Sequence, residues 1–86
     1  MIRVAYKATF VRQFDKLETA LQAEVLEKVA LFQNTGHHRQ IKVHKLHGRL
    51  KNCYSFSVNY RFRIVFEYLS KNEAALLAVG DHEVYR

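Results

Sequence analysis

The feature that most constrains the fold of this chain is a change in hydrophobic period along it. From residue 54 to residue 66 every second side chain is apolar or aromatic, and Asn59-Tyr60 in the middle of this stretch is a plausible tight turn. This alternation predicts two antiparallel strands joined by a tight turn. Residues 2–6 alternate in the same way and predict a first strand, and the unbroken apolar run from Ala74 to Val79 predicts a more central one.

Between the first strand and Gly36 the period is helical. Thr9 is a good N-cap for a short first helix, and Thr19, spaced from Gln22 as in a capping box, is predicted to open a second helix that stops at Asn34-Thr35-Gly36. Apolar residues at helical spacing supply the buried face: Phe10, Phe14, Leu17, Leu21, Val25, Val29 and Phe32. These two elements predict a helical hairpin.

The order of these elements predicts an α+β fold. An N-terminal strand, the helical hairpin and a three-stranded antiparallel meander would place the helices on one face of a four-stranded sheet. The chain of 86 residues has no proline and no linker-like stretch, so a single domain over residues 1–86 is expected. Residues 37–51 are polar and are expected to be irregular, with a short strand at residues 41–44.

Charge is distributed unevenly along the chain. Residues 28–66 contain eight Lys or Arg, four of the five histidines and no acidic residue. Since the whole chain carries +6, removing these eight positive charges leaves the remainder at −2. The basicity is therefore local and predicts an anionic partner, with RNA, DNA or an acidic protein segment as the first interpretation.

The strand pattern predicts where the basic groups lie. If the helices cover the apolar face, Ser55, Ser57, Arg61 and Arg63 point out of the opposite, open face. The preceding segment would bring further groups to its rim: Lys42, His44, Lys45, His47, Arg49 and Lys51. Such a groove can hold phosphates, and the tyrosines near it could stack on bases: Tyr54, Tyr60 and Tyr85. The alternative is that Arg61 and Arg63 only decorate a wetted sheet face.

His82 is the sharper chemical signal. RNA is cleaved when its 2′-hydroxyl is deprotonated and attacks the adjacent phosphorus, so an enzyme needs a base, an acid and cations, without a metal. His82 titrates near neutrality and suits the acid–base role, while Arg61 could hold the phosphate bidentately, with Arg63 and Lys45 adding charge. The alternative is a histidine that is structural or merely exposed.

The sequence contains no complete set of metal ligands, and no metal or cofactor is expected. His44, His47 and Cys53 could offer zinc ligands, but a fourth ligand and the usual paired spacing are missing. The chain has one cysteine, so no intrachain disulfide can form. The sequence shows neither a membrane-length apolar run nor a signal-peptide core, and a cytoplasmic location is expected.

Three segments resemble the RelE/ParE superfamily of bacterial type II toxins. They are His44–Lys51, which contains K-L-x-G-x-L-K; Tyr54–Glu67, which ends in YRFRIVFE; and Leu77–Tyr85, which contains GDHxxY. The resemblance covers nearly the whole chain. It implies a RelE-like fold, and it is shared by toxins of different activities.

The resemblance to the RelE, YoeB and YafQ branch implies an mRNA interferase. Such toxins cut messenger RNA, often in the ribosomal A site, and are neutralised by a small antitoxin encoded alongside. By position, Arg61 matches the sheet arginine of the family, His82 and His44 match histidines of the YafQ-like branch, and Tyr85 resembles an aromatic residue near the C-terminus. Two departures leave the individual roles open: the aspartate of YafQ-like sites is replaced by Arg61, and the last strand lacks the RelE-like arginine.

Two other functions remain open at this point. ParE-like toxins share the fold but act by binding DNA gyrase, without cutting RNA, and a basic groove would also suit that partner. A basic RNA-binding module without catalysis is the third reading. His82 and Arg61 favour the nuclease, because a gyrase binder needs no proton-transfer group at the groove.

Overall fold

The computed structural model describes residues 1–81 and residue 84. It confirms the predicted α+β class. Two short 3₁₀ turns, Thr35–His37 and Gly48–Leu50, accompany the helices and strands. The elements in chain order are β1 Arg3–Tyr6, α1 Ala8–Asp15, α2 Thr19–Phe32, β2 His44–Lys45, β3 Tyr54–Ser57, β4 Arg63–Ser70 and β5 Glu73–Gly80.

The strands form one sheet in the order β1-β5-β4-β3-β2. The pairs β2–β3, β3–β4 and β4–β5 are antiparallel. The edge strand β1 runs parallel to β5. As predicted, β5 has a strand on each side. The sheet has five strands instead of the expected four, because the short strand forms at His44–Lys45 and pairs with β3.

The backbone at Lys42 explains why this short strand begins late. Lys42 has a φ of 59°, in the left-handed region that an extended strand excludes. Ile41, just before it, is 2% exposed, and its carbonyl accepts a hydrogen bond from the Ser57 N–H. Ile41 is therefore anchored in the core, and the chain turns before β2 starts.

The second helix begins at Thr19 as predicted, but neither predicted N-terminal cap forms. The side chain of Thr9 accepts a hydrogen bond from the Arg12 guanidinium, and α1 begins at Ala8 with no side-chain cap. Gln22 does not complete a capping box; its amide donates to the Phe14 carbonyl at 2.9 Å. This bond ties α2 to the last turn of α1, so a residue that looked like a local cap holds the two helices together.

The core lies between the helices and one face of the sheet. Phe32 of α2 is fully buried, with ring centroids 4.7 Å from Phe56 and 4.6 Å from Phe66. Its neighbours in the same buried cluster are Ile2, Phe10, Val25, Val29, Ile41, Val58, Ile64, Ala74, Leu76 and Val79. Within the described residues, no helix is long and apolar enough to cross a membrane.

The opposite face of the sheet is less open than predicted. Ser55 is 0% exposed, and Val65 and Ala75 on the same face are 3% and 1% exposed. Val65 and Ala75 lie on β4 and β5, which have strands on both sides. Ser57 and Arg63, at the end of the sheet, are half-buried.

The turn between β3 and β4 is organised by Asn59. Its side-chain oxygen accepts hydrogen bonds from the N–H groups of Arg61 (2.8 Å) and Phe62 (2.7 Å). Its amide nitrogen donates to the Glu24 carboxylate of α2 at 2.8 Å. The turn is thereby closed on itself and tied to α2.

Replacing Asn59 with alanine is expected to lower the free energy of unfolding by about 1–3 kcal/mol, because the substitution leaves partly buried polar groups without partners. Urea unfolding followed by circular dichroism measures this loss. Tyr60→Ala is the matched control: Tyr60 is 92% exposed and should change stability by less than about 0.5 kcal/mol. Equal stability of Asn59→Ala and the wild type would mean that the turn does not depend on this side chain.

Candidate functional site

Two clefts of opposite charge meet at the β3–β4 turn. The first, which we call the basic cleft, has a volume of about 380 Å³ and carries three cationic side chains. Among the described residues that line it there is no carboxylate. Its lining residues are Lys28, Gln40, Ile41, Lys42, Ser57, Val58, Asn59, Tyr60 and Arg63.

The second cleft, which we call the acidic cleft, lies on the α2 side of the same turn. Its volume is larger, about 560 Å³, and three carboxylates, Glu18, Glu24 and Glu27, line it together with Arg61. Asn59 and Tyr60 line both clefts and separate them. An anionic ligand would be repelled by the carboxylates of the larger cleft, so the smaller basic cleft is the candidate site.

Arg63 lies on the sheet face that the sequence pattern predicted for it. It is the first residue of β4 and pairs with Ser57 on one side and Gly80 on the other. Side chains two residues apart share a sheet face. Arg63 therefore lies on the same face as Val65, away from the helices, where its half-buried side chain lines the basic cleft.

The prediction that Arg61 shares this face is wrong. The N–H groups of Arg61 and Phe62 are held by Asn59, so both residues belong to the turn, and β4 starts only at Arg63. The Arg61 guanidinium lies 5.7 Å from the centre of the Phe62 ring and lines the acidic cleft. The two arginines therefore face different surroundings.

Lys42, just before β2, and His44, the first residue of this edge strand, are both exposed at the rim, as predicted. Lys42 lines the basic cleft. His44 Nδ1 lies 2.8 Å from the Lys42 carbonyl, which can only accept, so Nδ1 carries the hydrogen and Nε2 can take up a proton. His44 pairs with Ser55, which places it on the same sheet face as Arg63.

Several other predicted groove residues lie elsewhere. The Tyr54 ring stacks on Phe66 at 5.6 Å, on the helix-covered face, and Lys45 pairs with Tyr54 on that same side. Tyr54, predicted as a stacking residue near the groove, and Lys45, predicted at its rim, therefore do not line the basic cleft. Arg49 and Lys51 are exposed at the turn Gly48–Leu50, and neither lines the basic cleft.

Lys28 was not singled out by the sequence pattern, although it is the first cation of the acid-free interval. It sits on α2, and only the packing of α2 against the β3–β4 turn brings it to the basic cleft. Its ammonium group lies 3.4 Å from the Glu27 carboxylate. Lys28 is thus partly neutralised, which leaves Arg63 and Lys42 as the stronger anion ligands.

Cys53 is unsuited to nucleophilic catalysis. Burial, with the Glu67 carboxylate as a second cause, raises the pKa of its thiol, so it stays protonated at neutral pH. Across residues 1–81 and 84, no group of histidine, cysteine and acidic side chains could hold a metal ion. His44, His47 and Cys53 are therefore not gathered into a zinc site.

The predicted catalytic residues His82 and Tyr85 lie outside the described residues. The described part of β5 ends at Gly80, which pairs with Arg63 beside the basic cleft. In the sequence, His82 follows Gly80 by two positions.

Comparison with known proteins shows that other solved structures share this fold. No family model matches the chain, and no curated protein matches it. Solved structures do. The RelBE2 toxin–antitoxin complex of Mycobacterium tuberculosis aligns with a TM-score of 0.75 and 18% identity, over 94% of this chain and 98% of that one.

Two further solved structures share the fold of this chain. The YoeB–YefM complex of Staphylococcus aureus aligns with a TM-score of 0.74 and 16% identity, over 95% of this chain and 98% of that one. YafQ of Escherichia coli aligns with a TM-score of 0.71 and 11% identity, over 99% and 98% of the two chains.

Fold and site together define a small α+β protein with a cationic cleft at one end of its sheet. Its fold is that of the RelE-, YoeB- and YafQ-type toxin structures, which confirms the predicted RelE/ParE-like fold. At these identities the likeness shows the fold alone.

Proposed function

We propose that this protein is the toxin of a type II toxin–antitoxin system and acts as an endoribonuclease that cuts messenger RNA on the ribosome. The observation that carries the proposal is the basic cleft, in which Arg63, Lys42 and Lys28 converge with no carboxylate among the described lining residues. Arg63 and Lys42, with Lys28 partly neutralised by Glu27, favour a phosphate backbone over a neutral ligand. The toxin fold around this cleft adds independent support.

The chemistry needs no metal. A base takes the proton of the 2′-hydroxyl, the 2′-oxygen attacks the adjacent phosphorus, the bond to the 5′-oxygen breaks, and an acid protonates that oxygen. The products are a 2′,3′-cyclic phosphate and a 5′-hydroxyl. Arg63 can donate two parallel hydrogen bonds to the phosphate oxygens, whose negative charge increases in the transition state. Lys42 adds a mobile positive charge.

His82 is proposed as the general acid or base, because its ordinary pKa lies near neutrality. His44, whose Nε2 can accept a proton, is proposed as the second proton-transfer group. Tyr85 is proposed as a stacking or proton-transfer residue. Arg63 is proposed as the phosphate-binding arginine. The sequence pattern favoured Arg61 for this role, but Arg61 lies among the carboxylates of the acidic cleft.

The partners proposed are messenger RNA, the ribosome and a cognate antitoxin encoded alongside, in the cytoplasm. The M. tuberculosis RelBE2 structure and a YoeB–YefM structure from S. aureus are toxin–antitoxin complexes. An antitoxin that covers the basic cleft would neutralise the toxin by excluding RNA.

Primer extension on messenger RNA incubated with ribosomes and the purified protein tests the proposal. New RNA ends are expected with the wild type and are expected to be lost with His82→Ala. Absence of new ends with the wild type would overturn the nuclease assignment. Inhibition of gyrase supercoiling in place of cleavage would support the ParE-like alternative.

RNA binding should depend on salt. With about three phosphates neutralised in the basic cleft, the logarithm of the affinity for single-stranded RNA should fall with the logarithm of salt concentration with a slope of about −2. Fluorescence anisotropy between 50 and 300 mM salt, roughly the range in which such slopes are resolved, measures it. Lys42→Gln should make the slope shallower by about 0.7, whereas Arg49→Gln, outside the cleft, serves as the matched control. A slope near zero would show that the cleft does not contact phosphates.

A further inference from the structure

We propose that Tyr60 is the stacking platform for one unpaired base, and that it makes the basic cleft selective for single-stranded RNA. This inference rests on the proposed function and adds to it the form of RNA that the cleft takes. Tyr60 is 92% exposed, against 46% for Tyr6 and 36% for Tyr68. It lines the basic cleft together with Arg63 and Lys42.

The backbone that carries this ring is held firmly. The Asn59 oxygen accepts from the N–H groups of Arg61 and Phe62, and the Val58 N–H donates to the Phe62 carbonyl at 2.9 Å. The Asn59–Glu24 hydrogen bond ties the turn to α2. A ring on such a turn loses little backbone entropy when a ligand binds, so it is preorganised for stacking.

Charge on the two sides of Tyr60 sets the direction of the strand. Glu18, Glu24 and Glu27 line the acidic cleft on one side, and the cations of the basic cleft lie on the other. Phosphates are repelled by the first side and attracted by the second. A nucleotide that stacks on Tyr60 therefore directs its phosphate toward Arg63 and Lys42.

This arrangement selects an unpaired base. Every base has a face on which an aromatic ring can stack, but in a duplex that face is covered by the neighbouring base pairs. A single-stranded nucleotide can satisfy the ring and the cations together, whereas a duplex can offer only its phosphates. The cleft is thus expected to prefer a single strand, with little dependence on base identity.

Fluorescence anisotropy with three labelled probes tests the inference: a 2′-O-methyl uridine decamer, an abasic decamer of the same backbone, and a duplex RNA. The methyl group blocks attack by the 2′-oxygen, so binding is measured without cleavage. Tyr60→Ala is expected to weaken binding of the uridine decamer about tenfold. The same variant should change binding of the abasic decamer by less than about twofold, since phosphate contacts are retained.

Two control variants accompany this measurement. Tyr60→Phe keeps the aromatic face and should bind the uridine decamer like the wild type. Tyr6→Ala removes another exposed tyrosine, 46% exposed and away from both clefts, and should leave binding unchanged.

Two results would overturn the inference: equal binding of the uridine decamer by Tyr60→Ala and the wild type, or an equal loss on the abasic decamer. Primer extension on messenger RNA with ribosomes distinguishes a failure of the stacking inference from a failure of the proposed function. If the wild type cuts RNA while Tyr60→Ala binds normally, only the stacking role is wrong. If the wild type neither cuts nor binds RNA, both proposals are wrong.

Discussion

Replacing Phe32 with alanine is expected to lower the free energy of unfolding by about 3–5 kcal/mol. Phe32 is fully buried, and its ring packs against Phe56, Phe66 and the imidazole of His38. Removing it leaves a cavity between α2 and the sheet that these rings cannot fill without moving. Domains of this size are stable by roughly 4–13 kcal/mol, so the loss is a large share of the total.

Urea unfolding measures this effect as a shift of the midpoint at an unchanged slope. Leu26→Ala is the matched control, because Leu26 lies on the same helix and is 51% exposed. Its expected loss is below about 1 kcal/mol. Similar losses for the two variants would contradict the placement of Phe32 at the centre of the core.

The second large effect is expected at Arg63. Arg63→Gln should reduce the rate at which messenger RNA is cleaved on the ribosome by about 100- to 1,000-fold. This is the typical cost of losing a group that stabilises transition-state charge. Arg63 is half-buried at the start of β4, and it faces the basic cleft. Glutamine retains a donor and most of the volume but loses the charge and the bidentate geometry.

Arg61→Gln is the control for Arg63→Gln, because it removes the same charge two residues earlier in the sequence. Arg61 lies among the carboxylates of the acidic cleft, so its loss should reduce cleavage by less than about threefold. Both variants are compared at equal folded fraction, checked by urea unfolding. A greater loss of activity in Arg61→Gln than in Arg63→Gln would reverse the assignment of the phosphate-binding arginine.

The pair Arg61 and Arg63 shows why the fold was easier to predict than the site. Their alternation with Phe62 is a good strand pattern, and it predicts a common face for the two arginines. The pattern contains no information about where the turn ends. That end is decided by Asn59, which holds two backbone N–H groups and a carboxylate of α2, 35 residues earlier in the chain.

Gln22 and His38 illustrate the same limit. Gln22 has the spacing of a capping residue, but its partner is the Phe14 carbonyl of the other helix. His38 lies in the segment 37–51, which was predicted only as polar and irregular, yet its Nε2–H donates to the Phe32 carbonyl at 2.6 Å, and its ring stacks on Phe32 at 5.0 Å. Polar side chains have several possible partners, and tertiary packing selects among them.

The sequence by itself determined the α+β class, the approximate helices and strands, and the local concentration of positive charge, because hydrophobic period and net charge are properties of neighbouring residues. The tertiary structure alone decided which cations share a cleft. It brings Lys28 of α2 to Lys42 and Arg63, turns Arg61 toward carboxylates, and places Tyr60 between the two clefts. The physical reason is that these contacts join residues distant in sequence, and their geometry follows from how α2 packs against the sheet.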